Sequence, residues 1–222
     1  MRPELPQEPA AGKPVTDVIA DALARRIVLG QLLPGQRVGQ DQVAAEFGAS
    51  HVPVREAFRR LEARGLLVSE PRRGVRVAPI DPAAVREVTE MRAALEGLAL
   101  RHAAPHLTVA DFEQARLAIR DAENSNDAII LEQANRRFHR ILVEPCGMRR
   151  LLATIDDLHQ SSARYLLATW KDLDWQPRSE TEHRGIVEAL EQGRQEEAAT
   201  MLESHIRDAG AALVAALGKA IA

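Results

Sequence analysis

One change in the spacing of apolar residues constrains the fold of this 222-residue chain more than any other feature. Over 66–80, LLVSEPRRGVRVAPI, apolar and polar residues alternate on either side of PRRG, which is typical of a β-hairpin. Almost everywhere else apolar residues recur every three or four positions, as they do along one face of an α-helix. The pattern therefore predicts a mainly α protein with one small hairpin.

Three helices are predicted before the hairpin, at 16–30, 41–48 and 50–65. Ser50 is a suitable N-cap for the third helix. Arg55, Arg59 and Arg60 lie largely off its apolar stripe, and Arg72 and Arg73 stand at the hairpin tip. Two short helices joined by a tight turn, with arginines on the second and a hairpin behind it, predict a winged helix-turn-helix that binds the DNA major groove.

The distribution of charge agrees with a DNA-binding N-terminal part. Residues 1–80 carry 12 Lys and Arg against 9 Asp and Glu, whereas residues 81–222 carry 17 against 23. A basic segment attached to a mildly acidic body favours contact with phosphates by the first part and another task for the second. A solvated charged surface without a partner is the alternative.

The remaining sequence predicts an all-helical body behind a short linker at 79–82. Its helices are expected near 82–103, 108–123, 127–143, 147–169, 178–191 and 195–217. The single cysteine, Cys146, excludes a disulfide framework and a multi-cysteine zinc site. No apolar run approaches the roughly 20 residues that span a bilayer, and residues 1–13 are typical of a disordered lead-in. A cytoplasmic protein without a membrane partner is expected.

Polar residues on predicted core-facing helices suggest a buried site. In ANRRFHRIL, 134–142, Asn135 and His139 are one helical turn apart on the same face. His183 and His205 are equally distant from the turn near residue 194, so they lie at the same height if their helices pack antiparallel. Four ligands can then converge inside a helix bundle.

Three imidazoles suit zinc, with nickel or another first-row divalent ion as alternatives. Taken singly, each of these histidines has an ordinary explanation as a hydrogen-bonded core residue. His102, His106 and His159 have no comparable sequence partners and are predicted at the surface or at helix ends.

The stretch LLPGQRVGQDQVAAEFGASHVPVREAFRRLEARGLLVSEPRRGVRV resembles the DNA-binding domain of the GntR family of bacterial transcription regulators, over residues 14–78. The resemblance implies that Ser50, His51 and Arg55 face the DNA, with a wing around Arg72–Gly74. Members usually have arginine at the position of His51. The departure implies a different base pair in the operator or more reliance on Arg55, Arg59 and the wing.

The body, residues 83–222, resembles the FadR-type ligand-binding domain called FCD. The similar stretches are MRAALEGLALRHAA, NRRFHRILVEPCGMRRLL, EHRGIVEAL and MLESHI. Metal-containing members bind the ion through an Asp or Asn, the histidine four residues on, and two C-terminal histidines. The resemblance therefore implies ligation of zinc, or of nickel or manganese, by Asn135, His139, His183 and His205.

An ion with open positions can bind a small carboxylate effector, whose other end Arg92 and Arg164 are expected to hold. For Arg92 the alternative is an ion pair with Glu96 one helical turn away. The leading hypothesis is a homodimeric regulator, not an enzyme, whose affinity for a double-stranded DNA operator depends on this effector. A direct metal sensor and a zinc-dependent hydrolase are the alternatives; no HExxH motif or nucleophile motif supports the latter.

Overall fold

The chain divides into two compact units that meet between Pro79 and Ile80. The computed structural model describes residues 13–70, 73–169 and 176–221. These residues are mainly helical, with one two-stranded sheet, so the predicted fold class is confirmed. Residues 1–12 of the predicted lead-in and Arg72 at the predicted hairpin tip lie outside the described residues.

The N-terminal unit contains three helices followed by a hairpin: α1 (Val15–Val28), α2 (Gln40–Glu46), α3 (His51–Ala63), β1 (Leu67–Glu70) and β2 (Gly74–Val77). The strands are antiparallel, with Leu67 opposite Val77 and Glu70 opposite Gly74. Ser50 occupies the N-cap of α3 as predicted, although its hydroxyl makes no capping hydrogen bond.

A short extended segment lies along the free side of β2. The backbone N–H of Val38 donates to the carbonyl of Val75, and the N–H of Val77 donates to the carbonyl of Gln36, both at 2.9 Å. The sequence pattern predicted only a turn here, because the pairing of 35–38 with a strand about 40 residues later leaves no local periodicity. This edge fixes the turn between α1 and α2 to the hairpin.

The core of this unit explains how α3 is oriented. Val54, Phe58 and Leu61, the predicted apolar stripe, are at most 2% exposed and pack against buried residues of α1 such as Ile19 and Leu23. Because one face of α3 is fixed in this way, the opposite face, which carries the arginines, is directed to solvent.

The described residues of the C-terminal unit form six α-helices: α4 (Pro82–Ala103), α5 (Val109–Glu123), α6 (Ala128–Val143), α7 (Arg149–Thr169), α8 (Gln176–Glu191) and α9 (Gln195–Ile221). Side chains fix where several of them begin. Asp81 accepts a hydrogen bond from the N–H of Ala83, and Thr108 and Asp111 form a reciprocal capping box.

Two apolar clusters in this unit share the long helix α9. One surrounds Phe138 and Leu202, and the other joins Leu213 and Leu217 to Val85 near the start of α4. Between the clusters α4 and α9 approach so closely that a Cβ at Gly210 would overlap the side chain of Thr89. Among the described residues, no helix is both long enough and apolar enough to cross a membrane.

Candidate metal centre and nucleic-acid interface

Three buried histidines meet in the C-terminal unit. His139 comes from α6, His183 from α8 and His205 from α9, and their exposed fractions are 1%, 4% and 4%. One ring nitrogen from each lies within 4.8 Å of the others, and the Nε2 atoms of His183 and His205 are 3.1 Å apart. Residues from three separate helices are therefore close enough to bind one ion.

The turn between α8 and α9 explains why His183 and His205 lie at the same level along their two helices. Gly193 adopts a φ of +73°, which favours glycine, and reverses the chain between α8 and α9. His183 and His205 then lie side by side, as their equal distance from residue 194 predicted. The ring of Phe138 stacks on that of His183 with a centroid separation of 3.9 Å, so it restricts how the imidazole can turn.

Carboxylates fix the hydrogen positions of two rings. Oε2 of Glu96 lies 2.6 Å from Nδ1 of His139, and Oε2 of Glu182 lies 2.8 Å from Nδ1 of His205. A carboxylate accepts, so in each pair the Nδ1–H donates and Nε2 keeps its lone pair. Metal-binding histidines are commonly held by such carboxylates.

Burial keeps His139 and His183 in the form that binds metals. It lowers the pKa of His139 to about 3, against an opposing effect of the Glu96 carboxylate. Burial, together with His205 and His139, also lowers the pKa of His183 well below its ordinary value. Both rings are therefore neutral near pH 7, and neutral imidazole is the ligand form.

Glu96 is the centre of a second buried group. Its Oε1 accepts from Nε of Arg92 at 2.9 Å and lies 3.2 Å from Nε2 of His159. Burial alone would raise the pKa of Glu96, but Arg92, His159 and His139 together hold it well below its usual range. Since both oxygens already have partners, this group is best described as a hydrogen-bond network behind His139.

The prediction that His159 lies at the surface was wrong. His159 is 4% exposed, and burial and the nearby Arg92 lower its pKa. Its partners are 63 and 67 residues earlier in the chain, so no short-range spacing indicated them. His102 and His106 are exposed near the end of α4, as predicted.

A cavity opens beside the histidine cluster. Its volume is about 90 Å³, several times the roughly 10–15 Å³ that one water molecule needs, so a molecule of a few heavy atoms fits. Asn135 and Arg92 line it, as expected of a ligand and an effector contact, whereas Arg164 is not among its described lining residues. The other polar side chains that line it are Glu132, His139, His159, Ser162, Ser179, Glu180, His183 and His205.

Arg164 occupies a different environment from the one predicted. It is 4% exposed, and its guanidinium carbon lies 5.9 Å from the centre of the Tyr165 ring. Burial lowers the pKa of Arg164. Its role as an effector contact stays a prediction.

The N-terminal unit presents its predicted DNA contacts to solvent. Ser50, His51, Arg55 and Arg59 are all exposed along α3. Within the described part of the chain, Arg55 and Arg59 make no ion pair, whereas Arg60 is paired with acidic side chains of α1 and α3. Two cations on this face thus remain available to phosphates or bases.

The hairpin adds further cations near this unit's surface. Arg73 and Gly74 are exposed, and Gly74 has a φ of +79° at the start of β2. A Cβ at Gly74 would lie 3.6 Å from Nε of Arg37, an exposed residue in the segment that pairs with β2. The sequence interpretation missed Arg37, since it depended on that unpredicted pairing.

Glu96 and Glu182 were missed as supports of the cluster for two reasons. Glu96 and His139 are 43 residues apart, and the sequence interpretation considered Glu96 only as a partner of Arg92. Glu182 adjoins His183 in the sequence, so its side chain leaves α8 in a different direction from that ring, and it reaches His205 on the neighbouring helix.

Two domain families match the two units. Residues 15–77 match the family described as "Bacterial regulatory proteins, gntR family", and residues 87–208 match the FCD domain. FCD domains are known to bind metals, and the histidine cluster lies within the matched residues. The matched boundaries place α3 and the hairpin in the first family and the histidine cluster in the second.

Known proteins are similar over nearly the whole chain. A probable D-xylose utilization operon transcriptional repressor of Paenarthrobacter nicotinovorans is 32% identical, covering 86% of this chain and 85% of the relative. The HTH-type transcriptional repressor RspR of Escherichia coli K12 is 27% identical, covering 88% and 87%. The structure of E. coli McbR/YncC covers 90% of this chain and 97% of its own, with a TM-score of 0.77 and 21% identity, which supports the fold. The chain therefore belongs to the GntR family of bacterial regulatory proteins, is a DNA-binding transcription regulator, and carries an FCD domain.

Proposed function

We propose that a small organic acid, bound beside a divalent metal ion in the C-terminal unit, controls the affinity of this regulator for its operator. One observation carries the proposal: three buried histidines, two of them backed by carboxylates, form part of the wall of a cavity large enough for a small molecule.

The donor set fits a first-row divalent ion. His139, His183 and His205 would hold it, and Asn135, which lines the same cavity, would complete the protein ligands through its amide oxygen. Zinc is the proposed ion, with nickel or manganese as alternatives. When bound, such an ion supplies positive charge and open coordination positions for carboxylate oxygens.

Arg92 is the proposed second contact of the effector, but much of its hydrogen-bonding capacity is used. Nε donates to Glu96, Nη1 donates to Ser162 at 3.0 Å, and Nη2 lies 3.3 Å from Nε2 of His159. A guanidinium has five N–H donors, so two remain for a ligand. Arg92 can therefore add hydrogen bonds to a carboxylate of the effector, but it is not a free guanidinium that could clamp a carboxylate on its own.

The N-terminal unit is the proposed operator-reading part. Ser50, His51 and Arg55 would reach base edges from the start of α3, while Arg59, Arg73 and Gly74 would contact the backbone. We further propose a homodimer, since paired helix-turn-helix units read half-sites about 34 Å apart. An effector that alters the separation of the two units in the dimer would then change operator affinity.

The proposal is tested by operator binding at fixed salt, with DNA selected from a random pool. Zinc-loaded wild type, chelator-treated wild type and zinc-treated His183→Ala are titrated with and without acetate, succinate, citrate and gluconate. At least one acid should shift the operator Kd by about tenfold or more, which is a typical size for allosteric coupling. This shift should occur only in zinc-loaded wild type. A shift caused by zinc alone would favour direct metal sensing, and no shift in any arm would overturn the proposal.

Arg55→Ala should weaken operator binding by roughly 1–3 kcal/mol if the side chain reads a base. Folding should be unaffected, because Arg55 is exposed and makes no ion pair within the described residues. The measurement is a gel-shift titration accompanied by a thermal melt.

The matched control is Arg25→Ala, which removes an exposed arginine from α1 of the same unit. It should change operator affinity much less than Arg55→Ala. Equal affinities of wild type and Arg55→Ala, with the fold intact, would remove Arg55 from the DNA interface.

A further inference from the structure

Two carboxyl side chains of the cavity have no hydrogen-bond partner among the described residues. Glu132 on α6 and Glu180 on α8 both line it and are half-buried. Neither makes a hydrogen bond or a close ion pair with another described residue. By contrast, Glu96 and Glu182, which also lie on helices of this unit, are held by histidine and arginine side chains.

Both carboxyl groups share a helix face with the proposed metal ligands. Glu132 is three residues before Asn135 and seven before His139, while Glu180 is three residues before His183. With a rise of 1.5 Å per residue, the backbone of Glu180 is about 4.5 Å from that of His183 along the axis, and that of Glu132 about 10 Å from His139. Glu132 is likewise about 4.5 Å from Asn135 along α6, so on both helices a carboxyl group lies one turn from a proposed metal ligand, a span that a short molecule can bridge.

Arg136 and Arg92 both act electrostatically on Glu132, but each arginine is also paired with another carboxylate, and burial is the cause that acts on Glu180. The charge of Arg92 is matched by its buried partner Glu96, and His139 and His183 are neutral near pH 7. Arg136, whose charge acts on Glu132, is paired with Asp156 at 3.9 Å. An unpaired carboxylate in a partly dry cavity is costly, and a ligand that donates to it removes much of that cost.

Burial raises the pKa of both Glu132 and Glu180, and for Glu132 the charges of Arg136 and Arg92 oppose this rise without cancelling it. A simple monocarboxylate would bind the metal ion, but its hydrocarbon part would then face Glu132 and Glu180. A dicarboxylate would place a second negative charge against two carboxylates. Neither therefore complements the whole cavity.

We propose that the effector is a small zwitterion, with a carboxylate at the metal ion and an ammonium group held by Glu132 and Glu180. This inference rests on the proposed function, because the metal ion defines where the ligand carboxylate binds. The chemical class is a short ω-amino acid or a molecule with the same two ends. An ammonium group has three donors, enough to serve both carboxylates.

The inference is tested by calorimetric titration of zinc-loaded protein with matched probes of equal chain length. The pairs are ω-amino acids of three to six carbons and the corresponding unsubstituted carboxylates, with the ω-hydroxy acids as a third series. The best amino acid should bind at least about tenfold more tightly than its carboxylate, as expected for a charge-assisted contact. Glu180→Gln and Glu132→Gln should each reduce that ratio, whereas Glu188→Gln, an exposed position on α8, should leave it unchanged.

The outcomes separate this inference from the function on which it rests. If zinc and the carboxylates bind but the amino group adds no affinity, the zwitterion is wrong and the proposed function survives. Tighter binding of the hydroxy acids would likewise overturn the ammonium contact. If no probe binds while zinc does, both the zwitterion and the organic-acid effector fail. Zinc content and circular dichroism of each variant identify any loss of folding, and the two glutamine variants provide independent readings.

Discussion

His183→Ala should lower the zinc affinity of the protein by more than about 100-fold. Loss of a residue that only supports a metal ligand costs 10–100-fold, and this change removes one of three converging imidazoles. Elemental analysis should find about one zinc per chain in wild type and little in the variant. Chelator should lower the melting temperature of wild type and leave that of the variant unchanged, because only a bound ion stabilises the folded state.

The matched control is His106→Ala, which removes an exposed histidine of the same unit. It should retain zinc at the wild-type level. A wild type that takes up no zinc, nickel or manganese and melts identically with chelator would mean that the three histidines are ordinary core residues.

Glu96→Ala should lower the free energy of unfolding by about 3–5 kcal/mol. The residue is fully buried, and its removal leaves the guanidinium of Arg92 buried without a counter-charge. For a chain of this size the melting temperature should fall by roughly 6–20 °C. Loss of the hydrogen bond to Nδ1 of His139 should also weaken zinc binding by about 10–100-fold.

Two further variants distinguish an unpaired charge from a simple loss of packing. Adding Arg92→Met to Glu96→Ala should recover part of the stability, since the uncompensated charge is then absent. Glu191→Ala, which breaks an exposed pair with Arg116, should cost no more than about 1 kcal/mol. If Glu96→Ala melted as close to wild type as Glu191→Ala does, the buried network around Glu96 would not stabilise the fold as proposed.

The sequence could predict that the histidines lie close together, but not which side chains hydrogen-bond to them. His183 and His205 share a turn, so a count of residues placed them at one height, and the i,i+4 spacing placed Asn135 beside His139. Their proximity follows from local geometry, while their role as ligands stays a prediction. Glu96 and His159 act across helices that are far apart in sequence, and only the packing of α4, α6 and α7 brings them to His139.

The same distinction holds in the N-terminal unit. The apolar stripe of α3 predicted which face is buried, and therefore that Arg55 and Arg59 are exposed. The edge that 35–38 adds to the hairpin could not be predicted, because backbone pairing with β2 is independent of side-chain type. Arg37 was missed for this reason, although its charge was visible in the sequence.

The long helix α9 connects two distant parts of the C-terminal unit. His205 is in the candidate metal centre, and Leu217, twelve residues and about 18 Å further along the axis, packs in the cluster that contains Val85. Ile80, the first residue of this unit, packs against that same cluster. One continuous helix, with no loop in it, therefore joins the candidate metal centre to the point where the chain enters the unit, so we expect a displacement of His205 to be felt there.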